Sequence, residues 1–176
     1  MPEPTVSGRQ FAFLLVDKFS MFSLAAAIDA FRSANRLLGR DFYGWTTVSA
    51  DGEAVMASNG IPLKVDYGVG DIPQVDILFV AVGLSTEFPG KSKVLGALRN
   101  WGRRGGALGA LSVGSYLLAE AGQLEGYRCT IHWENRAGRA CAAPPAPWIC
   151  PETPSSARRR RPGCRPAADR SPRSRS

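Results

Sequence analysis

The sequence predicts an α/β domain: a mostly parallel sheet with helices on both faces. Three observations predict it. Residues 11–16 (FAFLLV), 76–82 (DILFVAV) and 107–111 (ALGAL) are short runs that stay apolar through consecutive positions. Strands buried on both faces within a parallel sheet read this way. Helix-like segments separate the runs, and that alternation of strand and helix is the signature of an α/β sheet. Such sheets bind ligands at the carboxyl ends of their strands. The loops after Val16, Val82 and Leu111 are therefore the ones expected to carry a site.

Each element has its own local signal. After the first strand, Asp17-Lys18-Phe19-Ser20 gives a polar turn. Residues 21–38 then place Phe22, Ala26, Ala30, Ala34 and Leu37 at helical steps, predicting an amphipathic helix with these residues inward. Ser20 is its expected N-cap and Gly39 its stop. Residues 45–49 (WTTVS) alternate as a strand. Asp51-Gly52 and Asn59-Gly60 are turn pairs bracketing the short run 54–57, and residues 61–65 form another short strand. Residues 91–104 predict a helix with Val94, Leu95, Leu98 and Trp101 on one face, broken by Gly105-Gly106. The third buried strand runs straight into Ser112-Val113-Gly114 and a helix over 115–121 closed by Gly122.

The chain carries 22 Lys and Arg against 15 Asp and Glu, a net charge of +7. This excess is local. Residues 1–135 hold 12 basic and 13 acidic residues, a net of −1, whereas residues 136–176 hold ten Arg, no Lys and two acids. That tail is 31 Arg, Ala, Pro and Ser residues out of 41, with only Trp148 and Ile149 large and apolar, so no core-forming element is expected from it. It reads either as a basic nucleic-acid-binding arm centred on residues 158–161 or as out-of-frame translation of a GC-rich gene. The absence of Lys favours the second reading. No apolar stretch reaches the roughly 20 residues of a membrane span, and the opening MPEPTVSGRQ has no signal-peptide pattern, so a cytoplasmic protein is expected. Cys129, Cys141, Cys150 and Cys164 show no C-x-x-C spacing, and neither a metal nor any cofactor is expected.

The strand-to-helix turn at Ser112-Val113-Gly114 has the form of a nucleophile elbow, which exposes one side chain at the sheet's edge. A tight turn that merely needs small residues would look the same. The longer stretch LSVGSYLLAEAGQLEGYRCTIHWEN, residues 111–135, resembles the elbow region of the PfpI-type, class I amidotransferase-like superfamily. It is most similar to the form that stands at the front of AraC-type transcription regulators. Residues 13–37 and 51–63 also resemble that family. The resemblance covers about residues 11–135 and implies a flavodoxin-like, amidotransferase-like sensor domain. Residues 1–10 would be an extension, 11–135 an incomplete sensor domain and 136–176 a disordered tail. The family's later strands and its two helix-turn-helix units are not legible here.

The resemblance also implies a site. Ser112 stands where catalytic members carry Cys. A serine needs a base, whereas a thiol is already partly ionised near neutrality, so the position is expected to be degenerate and the chain not to be an enzyme. Ligand contacts are expected from Asp17, Phe19, Gly83, Ser112, Val113, Gly114, His132 and Trp133. The YRCTIHWEN segment, residues 127–135, looks most like regulators responding to glycine betaine, choline or carnitine. Such cations suit an aromatic enclosure, for which Phe19, Trp45, Tyr116 and Trp133 are candidates, though each is also an ordinary core aromatic. The expected partners are a small-molecule effector and a second copy of the chain, with DNA reached only through a helix-turn-helix domain absent from it. The alternatives are a small amidase or hydrolase using Ser112 and His132, a nucleic-acid binder acting through the tail, and a non-functional fragment.

Overall fold

The computed structural model describes residues 8–83, 85–127 and 129. His132, Trp133 and the tail lie outside the described residues. Strands β1 (Arg9–Leu15), β2 (Tyr43–Ser49), β5 (Tyr67–Gly68), β6 (Ile77–Val82) and β7 (Ala107–Ser112) form a parallel sheet in the order β5-β2-β1-β6-β7. Strands β3 (Val55–Met56) and β4 (Pro62–Leu63) pair as a small antiparallel hairpin around the Asn59-Gly60 turn. Helix α1 (Met21–Leu38) follows β1, α2 (Lys91–Arg103) follows β6 and α3 (Gly114–Glu120) follows β7.

The continuous apolar runs are explained by their surroundings. Alternate residues of β1 and β6 face two separate cores. Ala12, Leu14, Leu78, Val80 and Val82 meet Val94, Leu95 and Leu98 of α2 and Leu117 and Leu118 of α3. Phe11, Phe13, Leu15 and Ala81 meet α1 and the hairpin. Parallel crossovers are right-handed. The step from β1 to β2 and the step from β6 to β7 run in opposite contexts along the sheet, which leaves α1 on one face and α2 and α3 on the other.

Helix α1 corrects the sequence reading. Its caps are as expected: the Ser20 hydroxyl accepts from the Ser23 N–H at 3.3 Å, and Gly39 closes the helix at φ 65°. Its buried side is different. Leu24, Ala27, Ile28, Phe31 and Asn35 face the sheet, while Phe22 and Leu37 are each 83% exposed and Ala26 and Ala30 lie on the same outer side. The helix is apolar in two phases, and alanine repeats weigh as much as Ile or Phe in a pattern count. Packing distinguishes them. Phe31 stacks on Phe11 with ring centroids 4.3 Å apart, and burying such a ring contributes roughly 2–3 kcal/mol. Asn35, the polar residue that obscured this phase, accepts from the Phe42 and Tyr43 N–H groups and donates to the Tyr43 carbonyl. It fastens the end of α1 to the start of β2.

Candidate functional site

The order of strands reverses at β1: the chain goes from β1 outward to β2 and β5, then returns across to β6 on the other side of β1. A crevice opens at such a switch point beyond the carboxyl ends of the two strands. The turn after β1 holds Asp17, Lys18 and Phe19, and Gly83 follows the end of β6; β7 delivers Ser112 one strand further along.

Close backbone approach builds this edge. A Cβ at Gly83 would sit 1.9 Å from the Lys18 carbonyl oxygen, so only glycine lets β6 pass the β1 turn there. A Cβ at Gly114 would lie 2.3 Å from the Val80 carbonyl oxygen, so glycine also seats the first turn of α3 against β6. The β1 turn is fixed further by the hairpin: the Lys18 N–H donates to Met56 O at 2.7 Å and the Ser58 N–H to Phe19 O at 2.9 Å. Ser112 adopts φ 55°, a left-handed conformation that costs a non-glycine residue about 1–2 kcal/mol. Its side chain is exposed at the strand end, as the elbow reading requires.

The sequence-predicted residues separate into four groups. Asp17 and Ser112 are exposed on the same edge, while Gly83, Val113 and Gly114 are buried and shape the backbone between them. With β6 between β1 and β7, the strands carrying Asp17 and Ser112 stand about 10 Å apart. That gap suits a small molecule bridging the two side chains better than a direct bond between them. Phe19 has no exposed surface: its ring is enclosed in the core beneath α1, which corrects its expected place as a pocket wall. His132 and Trp133 belong to the chain outside the described residues.

The expected aromatic enclosure is not assembled from the described candidates. Trp45 pairs with Phe11 in the amino-terminal half of the sheet, four residues before β2 ends, or roughly 13 Å from the carboxyl edge. Phe19 packs into one core and Tyr116 against the other, on opposite faces of the sheet. One residue was missed. Ser115, the second residue of α3, is 7% exposed, and its hydroxyl has no hydrogen-bond partner among the described residues. A buried hydroxyl left unpaired costs about 1–3 kcal/mol, so Ser115 joins the candidate residues beside the Ser112 turn. Its only signal in sequence is its place after Ser112-Val113-Gly114. Among the described residues no group of three or more His, Cys, Asp or Glu could hold a metal ion.

Residues 9–143 match the DJ-1/PfpI family. The chain belongs to the DJ-1/PfpI family. Curated relatives in Pseudomonas aeruginosa are transcription regulators. GbdR, an HTH-type regulator, is 38% identical over 82% of this chain and 39% of its own length. CdhR, also HTH-type, is 39% identical over 72% of this chain and 38% of its own length. The crystal structure of an AraC family transcriptional regulator from Pseudomonas putida superposes with a TM-score of 0.64 and 33% identity, over 73% of this chain and 69% of that one. The AraC-type resemblance seen in the sequence thus holds for this DJ-1/PfpI domain, and so does the parallel α/β fold it implied. The chain spans about two fifths of the length of the curated regulators it matches. No helix among the described residues is long and apolar enough to cross a membrane.

Proposed function

We propose that this chain is the effector-sensing part of an AraC-type transcription regulator, holding a small metabolite at the carboxyl edge of the sheet without chemical turnover. The observation that carries this reading is the strained, outward-facing Ser112 between the buried Gly83 and Gly114, with serine in place of a thiol. Strain of this kind collects at ligand sites. Asp17, Ser112 and the Ser115 hydroxyl, unpaired among the described residues, supply polar contacts, and His132 and Trp133 are proposed as further ligand contacts on the resemblance of residues 127–135. The effector class that fits is a quaternary ammonium compound such as glycine betaine, choline or carnitine. This is supported by the resemblance of residues 127–135 and by the affinity of a cation for an aromatic face such as Trp133.

The same proposal covers the protein's other partners. DNA is reached through a helix-turn-helix domain outside this chain, in the cytoplasm, by a homodimer. The outer face of α1 suits self-association. An antiparallel pairing of two copies centred between Asp29 and Ala30 sets each Phe22 against the other copy's Leu37, with Ala26 and Ser33 between them to allow close approach. Phe22→Glu is expected to convert a dimer to a monomer in sedimentation; an unchanged mass would remove α1 from the interface.

Calorimetric titration of the whole chain with glycine betaine, choline, carnitine and, as a control without the quaternary nitrogen, glycine tests the effector reading. Saturable binding of one of the first three is expected, with Ser112→Ala changing affinity only a few-fold. The Ser112/His132 amidase reading is the alternative. Amide hydrolysis by the wild type that Ser112→Ala abolishes would overturn sensing in its favour.

A further inference from the structure

We propose that the outward face of α2 is a contact surface for the phosphate backbone of DNA, in addition to any helix-turn-helix contact. This rests on the regulator reading for bringing DNA near the domain. Residues 91–104 contain five Lys and Arg and no acid, whereas residues 41–76 contain six acids and a single Lys. The near-neutral total therefore conceals a basic side. Only Lys91 of the five turns inward, where it pairs with Glu87 and Glu120 at 2.9 Å each. Lys93, Arg99, Arg103 and Arg104 are exposed, and among the described residues none makes an ion pair. Arg99 reaches the Glu120 carbonyl oxygen at 3.4 Å, Arg103 donates to Asn100, and Lys93 lies near enough to Asp51 to help lower its pKa.

The helix geometry collects these cations. At 3.6 residues per turn the buried Val94, Leu95 and Leu98 occupy one side, and the opposite arc of about 140° holds Ser92, Lys93, Gly96, Arg99, Asn100, Arg103 and Arg104. Cations, a hydroxyl and an amide are the side chains that contact phosphates. The arc contains no aromatic or aliphatic anchor, which the centre of a protein interface would need. From Lys93 to Arg104 the helix rises about 16 Å, the length of roughly five phosphates along one strand.

Gly96 gives an independent reason. It stands mid-helix, where glycine costs about 1 kcal/mol relative to alanine, yet a Cβ there would meet nothing within 4 Å. The fold does not require glycine at this position, near the middle of the basic arc. A bare backbone there lets a flat partner come close between Lys93 and Arg103. Grooves of about 390 and 480 Å³ flank Asn100, the first running from Lys93 and Arg104 to the apolar Trp101, Val69 and Ile72 at the border of the arc, the second lined by Arg99, Arg103 and Gln123.

The test is fluorescence anisotropy of the whole 176-residue chain with a duplex of about 30 base pairs of arbitrary sequence, titrated between about 50 and 200 mM salt. Each phosphate contact contributes about 0.9 to the slope of log affinity against log salt, so the quadruple variant Lys93→Gln, Arg99→Gln, Arg103→Gln, Arg104→Gln is expected to lose about 3 to 4 from it. Arg99→Gln and Arg104→Gln singly are each expected to lose about 1, which preserves the test if the quadruple variant fails to fold. Glutamine at Arg158, Arg159, Arg160 and Arg161 removes the same charge from the tail and should leave the effect of the α2 substitutions intact. Wild-type slopes in all the α2 variants would overturn the proposal, as would loss of all binding in the tail variant. Neither result would bear on effector binding, which is measured without DNA.

Discussion

Two turns on the carboxyl edge use the same rare backbone conformation for different ends. Lys18, after β1, has φ 59°, and Ser112, after β7, has φ 55°; these are the non-glycine residues of positive φ among those described. Lys18 is held from every side. Its N–H is bonded to the hairpin, the next N–H returns to Val16 O at 2.9 Å, its carbonyl oxygen fills the space left by Gly83, and the following Phe19 is wholly buried. Its strain closes a core. Ser112 instead stands at a strand end with an exposed side chain, before a helix whose second residue hides an unpaired hydroxyl. Strain that packing demands can be traced to bonds within the fold. Strain at an exposed strand end is what marks Ser112 as the candidate site.

Gly83→Ala is expected to have the largest effect. With the new Cβ 1.9 Å from the Lys18 carbonyl oxygen, the β1 turn or β6 must shift, and a loss of about 3 kcal/mol or more is expected in denaturant unfolding. A change below about 1 kcal/mol, well under the overpacking range, would show that the turn is not held as tightly as its contacts imply.

The paired substitutions Lys18→Gly and Ser112→Gly sharpen the comparison. Each removes a left-handed side chain, and each is expected to change stability by no more than about 1 kcal/mol, because relief of strain is offset by the freer unfolded chain. Only Ser112→Gly should weaken effector binding in calorimetry. Equal effects of both on affinity would erase the distinction between the two turns.

The smallest expected effect concerns the other end of the sheet. Asp76 precedes β6 and accepts from the Gln10 N–H and from Arg9, each at 2.7 Å. The Gln10 N–H first, and then Arg9, hold its carboxyl below the usual value, which for aspartate is about 3.9. A carboxyl whose folded pKa is depressed contributes stability above the unfolded value and loses it as pH falls through the folded value. Asp76→Asn should therefore flatten the fall of melting temperature below about pH 4 and leave effector affinity at neutral pH unchanged. An acid transition identical to the wild type would show that the Gln10 bond is not what lowers this carboxyl.

Much of the fold is legible in the sequence because burial on both faces writes itself into consecutive residues. That is why β1 and β6 are readable; β7 keeps an apolar run although, among the described residues, it stands at the edge of the sheet with only Gly109 buried. β5, two residues long, leaves no such trace. The inward side of α1 is ambiguous because alanines fill one phase and Asn35 interrupts the other. Asp17, Gly83 and Ser112 were findable from the rule that ligands gather at strand ends. Ser115 was not, since only packing shows that its hydroxyl is buried and unpaired.

The sequence by itself determined the layered α/β architecture and the family, because these depend on residue type and local order. The tertiary structure decided what depends on neighbours distant in the chain. It enclosed Phe19 beneath α1, set Trp45 toward the wrong end of the sheet for a shared site, and turned Phe22 and Leu37 outward. It also gathered the basic residues of α2 on one exposed arc, where a net charge of −1 over residues 1–135 had shown nothing. A sum over the chain carries no direction, and only a fold gives charge and apolar surface a side to face.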